Sequence, residues 1–412
     1  MGTVRKTGEE YTEGNLFRYH WLVLAVLTLM QLTCSGANFS FGALAPFLKE
    51  GLDISRAQVG MFTSAIYLGY ILMAIPWGRL ADSLGPRKVL LVAPLLQGLA
   101  FLGFSQAPSF LLAWLAIFIA GVGYGAVTSS TVKGLVFWFP TRMRATAIGI
   151  KQTGAPVGGA LVALALPALA LAFTWRAAVA VVGFTVIASA ILCFLMYRDF
   201  PSQGAPAAPV PQKTGGLLQI LKNRDIMLVS LVCMVYGMVQ SSMTTYLVLY
   251  IKESLLFTAV AAGTFLALAQ VCGGSGRILW AIISDRLMGG RRREILIMLG
   301  LIAALMLLVL SLWATKMPTW LIYVTVAVLG ATGMGWLGVQ LTLVSELAGT
   351  EVAATGSAVA MTIGCIGNLV GPPIFGYLVD VTESYTLSLQ LLGSGTIAAS
   401  LLLLFTKERK QT

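Results

Sequence analysis

The chain is short of charge. Only 10% of its 412 residues are Asp, Glu, Lys or Arg, where a soluble domain carries roughly a quarter. Most of the chain must therefore face something other than water. Histidine is scarcer still: His20 stands alone, and no nucleotide-binding loop, metal-ligand cluster or nucleophile–base set accompanies it. Enzymatic chemistry, a cofactor and a metal site are not expected. The five cysteines, Cys34, Cys193, Cys233, Cys272 and Cys365, each lie in a different apolar run. An odd number so scattered excludes a disulfide framework. The first 17 residues are polar and lack an apolar core with a cleavage site, so the first apolar run reads as an uncleaved span and not a leader.

What the chain has in abundance is apolar length: 58% of its residues are hydrophobic. Continuous runs long enough to cross about 30 Å of hydrocarbon as helices recur at 20–45, 57–78, 88–106, 110–138, 145–172, 177–197, 226–250, 258–282, 295–315, 319–345, 353–378 and 385–405. The runs do not alternate with period two, which argues against a barrel. The net charge of +11 does not point to nucleic acid, because Lys and Arg sit in short loops between these runs. Nineteen of them fall on the side of the N-terminus and five on the other. That bias places both termini in the cytoplasm. The fold expected is an all-α membrane protein of twelve transmembrane helices in two pseudo-symmetric six-helix bundles. It divides into a tail (1–19), a first bundle (20–197), a linker (198–225), a second bundle (226–405) and a tail (406–412). The Pro- and Ala-rich stretch Pro201–Pro211 reads as extended linker, and the segment after it as a short helix on the cytoplasmic face.

The halves repeat. Gly78-Arg-Leu-Ala-Asp82-Ser-Leu-Gly85-Pro-Arg87-Lys88 follows span two, and a weaker copy containing Asp285 and Arg286 follows span eight, the two aspartates standing 203 positions apart. Duplication of this kind marks transporters that rock one half against the other. These loops resemble the signature of the major facilitator superfamily. The resemblance implies alternating access, with Gly78, Gly85, Asp82, Arg87, Lys88, Asp285 and Arg286 governing the two states. Glycines are expected to permit close approach, and Asp82 to pair with a cation of a neighbouring segment.

All 16 acidic residues fall in tails, loops or span ends, whereas Lys133, Lys151 and Arg277 fall inside spans four, five and eight. A charge inside a span costs several kcal/mol unless it meets a partner or a water-filled cavity. With no acidic partner expected, the natural counter-ion is an anionic substrate. Lys133 and Lys151 have stems long enough to snorkel to the headgroups, whereas Arg277 lies among small residues, Cys272-Gly-Gly-Ser-Gly276-Arg277. The last segment resembles span eight of the monocarboxylate transporters and oxalate:formate antiporters, in which an Arg before the second signature binds a carboxylate. Trp138-Phe-Pro140 and Arg144-x-x-Ala-Ile-Gly resemble the anion:cation symporters. Polar candidates to orient the substrate are Asn38, Tyr124, Tyr236, Gln340 and Asn368. The reading is a secondary transporter of a small organic anion, most simply a lactate-like monocarboxylate, with a proton as co-substrate or by anion exchange. It acts as a monomer in a bacterial inner membrane. The alternative is an exporter of drugs or other lipophilic compounds, and a channel is the rival outside transporters.

Overall fold

The computed structural model describes residues 13–199, 216–349 and 352–406. The expected N-terminal tail through residue 12, the linker stretch 200–215 and the tail from residue 407 lie outside the described residues. Twelve helices among the described residues are long and apolar enough to cross a membrane, and no strand accompanies them. Spans one to six are Tyr19–Leu52, Arg56–Leu84, Pro86–Ser105, Phe110–Trp138, Thr141–Ala172 and Trp175–Met196. Spans seven to twelve are Arg224–Leu255, Ala259–Arg286, Arg292–Lys316, Thr319–Ala348, Thr355–Thr382 and Tyr385–Phe405. A short helix, Gly216–Lys222, precedes span seven. Asn223 then caps span seven by accepting from the backbone N–H of Asp225 and Ile226 at 3.1 and 3.3 Å.

Several helices outrun the apolar runs that announced them. Span one continues past Pro46 to Leu52, although a proline forfeits one backbone hydrogen bond. It stops only at Asp53, whose φ of 49° is left-handed.

Small residues set the spacing of the bundle. Gly154 and Gly158 of span five lie against the backbone of Thr28, Leu32 and Gly36 in span one, so the two helices touch with no side chain between them. The halves meet along three seams: span two on eleven, five on eight, and one on seven. Gly60 lies under Tyr246 and Pro372, and Gly274 under Pro156, at the first two.

Spans four and ten are each broken at mid-length. Span four divides into Phe110–Tyr124 and Val127–Trp138, and span ten into Thr319–Gly333 and Leu337–Ala348. A broken helix leaves carbonyls without an intrahelical partner. Near each break an indole from the neighbouring span donates to a carbonyl: Trp77 to Val122 and Trp280 to Ala331, both at 2.8 Å. The two tryptophans are separated, like the signature aspartates, by 203 positions. The duplication therefore extends to the hydrogen bonds that patch the breaks.

A side chain at Gly158 would press into the Leu32 carbonyl, whereas one at Gly149 meets nothing within 4 Å. Gly158→Leu should therefore cost about 1–3 kcal/mol of overpacking and lower the thermal unfolding temperature of the purified protein by several degrees. Gly149→Ala should leave that temperature unchanged or slightly raised. Equal melting of the two variants would mean that this seam is not tight.

Candidate functional site

Two sides of the molecule differ in how the halves are tied. On the side away from the basic loops, Glu253 of span seven gathers donors from both halves. Lys49 Nζ reaches one oxygen at 2.6 Å, while Arg56 Nε at 2.9 Å and Tyr385 hydroxyl at 2.7 Å donate to the other. Asp380 of span eleven accepts from the backbone N–H of Arg56 and Ala57 at 3.0 and 2.8 Å. A carboxylate of the second half thus caps the first turn of span two. Lys252 adds a pair to Glu50 at 2.7 Å. Deeper in the seam, the Thr63 and Thr245 hydroxyls meet at 2.9 Å, Ser64 donates to the Leu369 carbonyl, and the Tyr246 hydroxyl lies between the carbonyls of Arg56 and Pro372.

The described ion pairs on the basic side stay within their own half. Lys133 binds Asp82 at 2.5 Å, while Arg292 holds Asp285 and Glu346. The basic-side segments of spans four and ten share no packed interface. This conformation is therefore closed on the side of Glu253, and its halves part toward the basic loops.

Arg277 sits at the head of that parting. Its Nε donates to the Met334 carbonyl at 3.3 Å, a carbonyl freed by the break in span ten. The groups close enough to act on it electrostatically are the phenols of Tyr67 and Tyr124 from the other half. Tyr70 packs its ring 5.7 Å from that of Tyr124. Among the described residues no carboxylate pairs with Arg277. The Tyr124 hydroxyl lies 3.2 Å from Ser35, which accepts from Gln31 at 2.8 Å. Asn38 accepts from Gln97 at 3.1 Å. Asn38 and Tyr67 also line a cavity of about 20 Å³ with Gln240 and Ser241 at the seam between halves, room for about one water. Gln31, Ser35 and Gln97 were not anticipated. The signal was present, since Gln31, Ser35 and Asn38 follow i, i+4, i+7 on one face of span one.

Lys151 has no exposed surface, and its described partner is the neutral Gln152 carbonyl oxygen at 3.3 Å. It does not snorkel, because the whole side chain is enclosed.

The remaining expected residues divide. Lys133 is not without an acid: its amine is held by Asp82 and by the Ala81 carbonyl at 2.7 Å, since span four passes close to the end of span two. Tyr236 does not face the parting. Its hydroxyl bonds the Leu296 carbonyl at 2.8 Å and Ser400 at 2.9 Å, inside the second bundle, because span seven turns that face to spans nine and twelve. Gln340 is buried, and among the described residues its Nε2 has no hydrogen-bond partner; the same is true of Asn368 Oδ1, which lies against Gly237. Of the signature residues, Gly78 meets no neighbour a side chain would touch, so close approach is not its role. Gly85 is a turn residue with φ of 83°. Arg87 donates from Nε and a terminal nitrogen to the Phe194 carbonyl, and its backbone N–H goes to Asp199. Burial raises the Asp199 carboxyl pKa above its usual value, opposed by Arg87. Lys88 and Arg286 are exposed.

A family model, Major Facilitator Superfamily, matches residues 27–372. The chain belongs to this superfamily. It is a multi-pass membrane transporter and not an enzyme. Among superfamily members it is similar to a probable sulfoacetate transporter of Cupriavidus necator, 27% identical over 92% of each chain. It is similar also to the hexuronate transporter of Bacillus subtilis, 22% identical over 87% of each. A probable galactarate/D-glucarate transporter of Escherichia coli is 22% identical over 97% of this chain and 96% of its own. In structure it resembles a D-xylose–proton symporter, with a TM-score of 0.79 at 16% identity over 95% of this chain and 99% of that one. The last likeness concerns the fold.

The closed side hangs on Glu253. Glu253→Gln removes the charge that Lys49 and Arg56 share, and charged hydrogen bonds contribute about 1.5–3 kcal/mol each. The Glu253 side should open more often. In a background free of the native cysteines, Ser241→Cys should then react about tenfold faster with a membrane-impermeant thiol reagent added on that side. An unchanged labelling rate would show that the closure rests elsewhere.

Proposed function

We propose that this chain is a secondary transporter of small organic anions that works by alternating access, with the basic side in the cytoplasm of a bacterial inner membrane. One observation carries the reading. Arg277 stands where the halves part, among neutral phenols, amides and a carbonyl. A guanidinium stays charged at any physiological pH and can grip an anionic group with two parallel hydrogen bonds. Left without a fixed counter-ion in a partly dry site, it demands an anion that comes and goes. The names of the relatives, which describe transport of sulfoacetate, hexuronate and galactarate or D-glucarate, support an organic anion. They also widen the expected substrate beyond a lactate-like monocarboxylate to acids carrying hydroxyl or sulfonate groups. Tyr67, Tyr124, Asn38 and Gln240 supply hydrogen bonds of both signs to such groups. A drug exporter selecting cations would want buried carboxylates near the same parting, and the acids described here cluster at the two ends of the spans. Entry with a proton or in exchange for another anion follows from the same cation, which must be neutralised before it crosses. Monomeric action is part of the proposal.

Arg277→Ala should fold and fail to transport, with affinity for sulfoacetate or D-glucarate reduced at least about tenfold, as expected for losing hydrogen bonds to a charged group. Arg277→Lys keeps the charge without the planar fork and should bind weakly. Lys133→Met should leave affinity within about threefold, since Asp82 already occupies that amine and an exposed pair contributes little. Thermal-shift titration and proteoliposome uptake, with monodispersity checked, make the comparison. Near-native affinity in folded Arg277→Ala would place the site elsewhere.

A further inference from the structure

Lys151 is a second cation that the anion site described above does not use. Spans five and eight cross where Gly274 lies against Pro156. From that crossing, Arg277 is one turn toward the basic side on span eight, and Lys151 a little over one turn in the same direction on span five. The two thus lie at similar depth, one in each half, on helices that touch. Arg277 borders the parting, whereas Lys151 is fully buried beside Gln152.

Among the described residues no carboxylate pairs with Lys151, and its one described hydrogen bond goes to the neutral Gln152 oxygen. Lys133, the neighbouring interior cation in sequence, is already held by Asp82. An ammonium sealed in such a place costs several kcal/mol, and a lysine can avoid that cost by giving up its proton, which an arginine cannot. Empty, the site then carries the single charge of Arg277. A monoanion neutralises it. A substrate with two anionic groups leaves one negative charge over, and that charge is compensated when the Lys151 amine takes a proton from water on the open side. No covalent bond to carbon forms or breaks, and nothing is oxidised or reduced.

We propose that Lys151 is a second anion subsite that becomes charged only with its substrate, so that a dianion enters together with a proton while a monoanion enters without one. The proposal rests on the reading of Arg277 as the first anion subsite. It names both a substrate class, acids with two anionic groups, and the residue that couples them to the proton. In the loaded state the ammonium exchanges the Gln152 oxygen for an oxygen of the substrate.

Sulfoacetate, with two anionic groups, and isethionate, with one, are suitable probes. Binding to the native protein in weakly buffered solution, followed with a pH indicator, should take up about one more proton per sulfoacetate than per isethionate. Lys151→Arg fixes the charge. It should still exchange sulfoacetate across proteoliposomes, but a pH gradient should no longer drive accumulation as it does for the native chain. Lys151→Met should lose at least about tenfold in sulfoacetate affinity while isethionate changes less than about threefold. Equal proton uptake for the two probes, or undiminished gradient-driven accumulation by Lys151→Arg, would overturn the proposal while leaving the anion reading intact. Binding of neither probe to the native protein would sink both.

Discussion

In a hydrocarbon medium a backbone carbonyl must find its partner inside the protein. The middle of this molecule is organised around two places where that rule is strained. Spans four and ten break, and the carbonyls beside the breaks are met by donors from the adjoining spans: the indoles of Trp77 and Trp280, and the guanidinium of Arg277 at Met334. Arg277 therefore has its position fixed by the fold before any substrate arrives. Tyr124, at the end of the first segment of span four, has its ring placed by the corresponding break in the other half. The proposed anion site is thus assembled from paired irregularities of the two repeats, and the regular helices serve to hold them at one depth.

The charges are used in two ways that must not be confused. At the ends of the spans, cations meet carboxylates: Lys133 with Asp82, Arg292 with Asp285, Lys49 and Arg56 with Glu253. Some of these pairs brace one half, and others clasp the two halves together on one side. In the interior, Arg277 and Lys151 meet carbonyl oxygens, phenols and amides. The first group decides which side is shut. In the proposed function the second leaves charge to be satisfied by what passes through. A chain with three interior cations and no interior acid invites the assumption that all three serve the substrate. The structure removes Lys133 from that set, because helix ends project their acids farther back than position along the chain suggests.

The architecture was legible in the sequence because apolar length, loop charge and duplication are each local or periodic. Twelve spans and their division into halves follow from them, and the lack of an acidic partner for Arg277 follows from the placing of all 16 acids in tails, loops or span ends. Contact across helices was not legible. Nothing in the spacing of span seven says that Tyr236 turns toward spans nine and twelve, or that Gly85 serves a turn while a side chain at Gly78 would meet no described neighbour. The continuation of span one beyond Pro46 was lost for a similar reason: a proline weakens a helix locally, and the packing that carries the helix through it comes from other spans. The polar face of Gln31, Ser35 and Asn38 lay in between. Its period was readable, but a run of single polar residues in an apolar helix attracts no notice until Tyr124 and Gln97 are seen to meet it.

The carboxylate of Asp380, lodged at the first turn of span two, has a further consequence. Two of that turn's backbone donors, Arg56 and Ala57, are satisfied by the opposite half, whereas Gln58 is served by Ser55 from its own chain segment. When the halves separate on this side, the helix keeps its local cap and forfeits the borrowed one. Its end should fray as the gate opens and re-form as it shuts. The length of a transmembrane helix then varies with the transport cycle, and amide hydrogen exchange at two residues, far from any bound solute, becomes a clock for it.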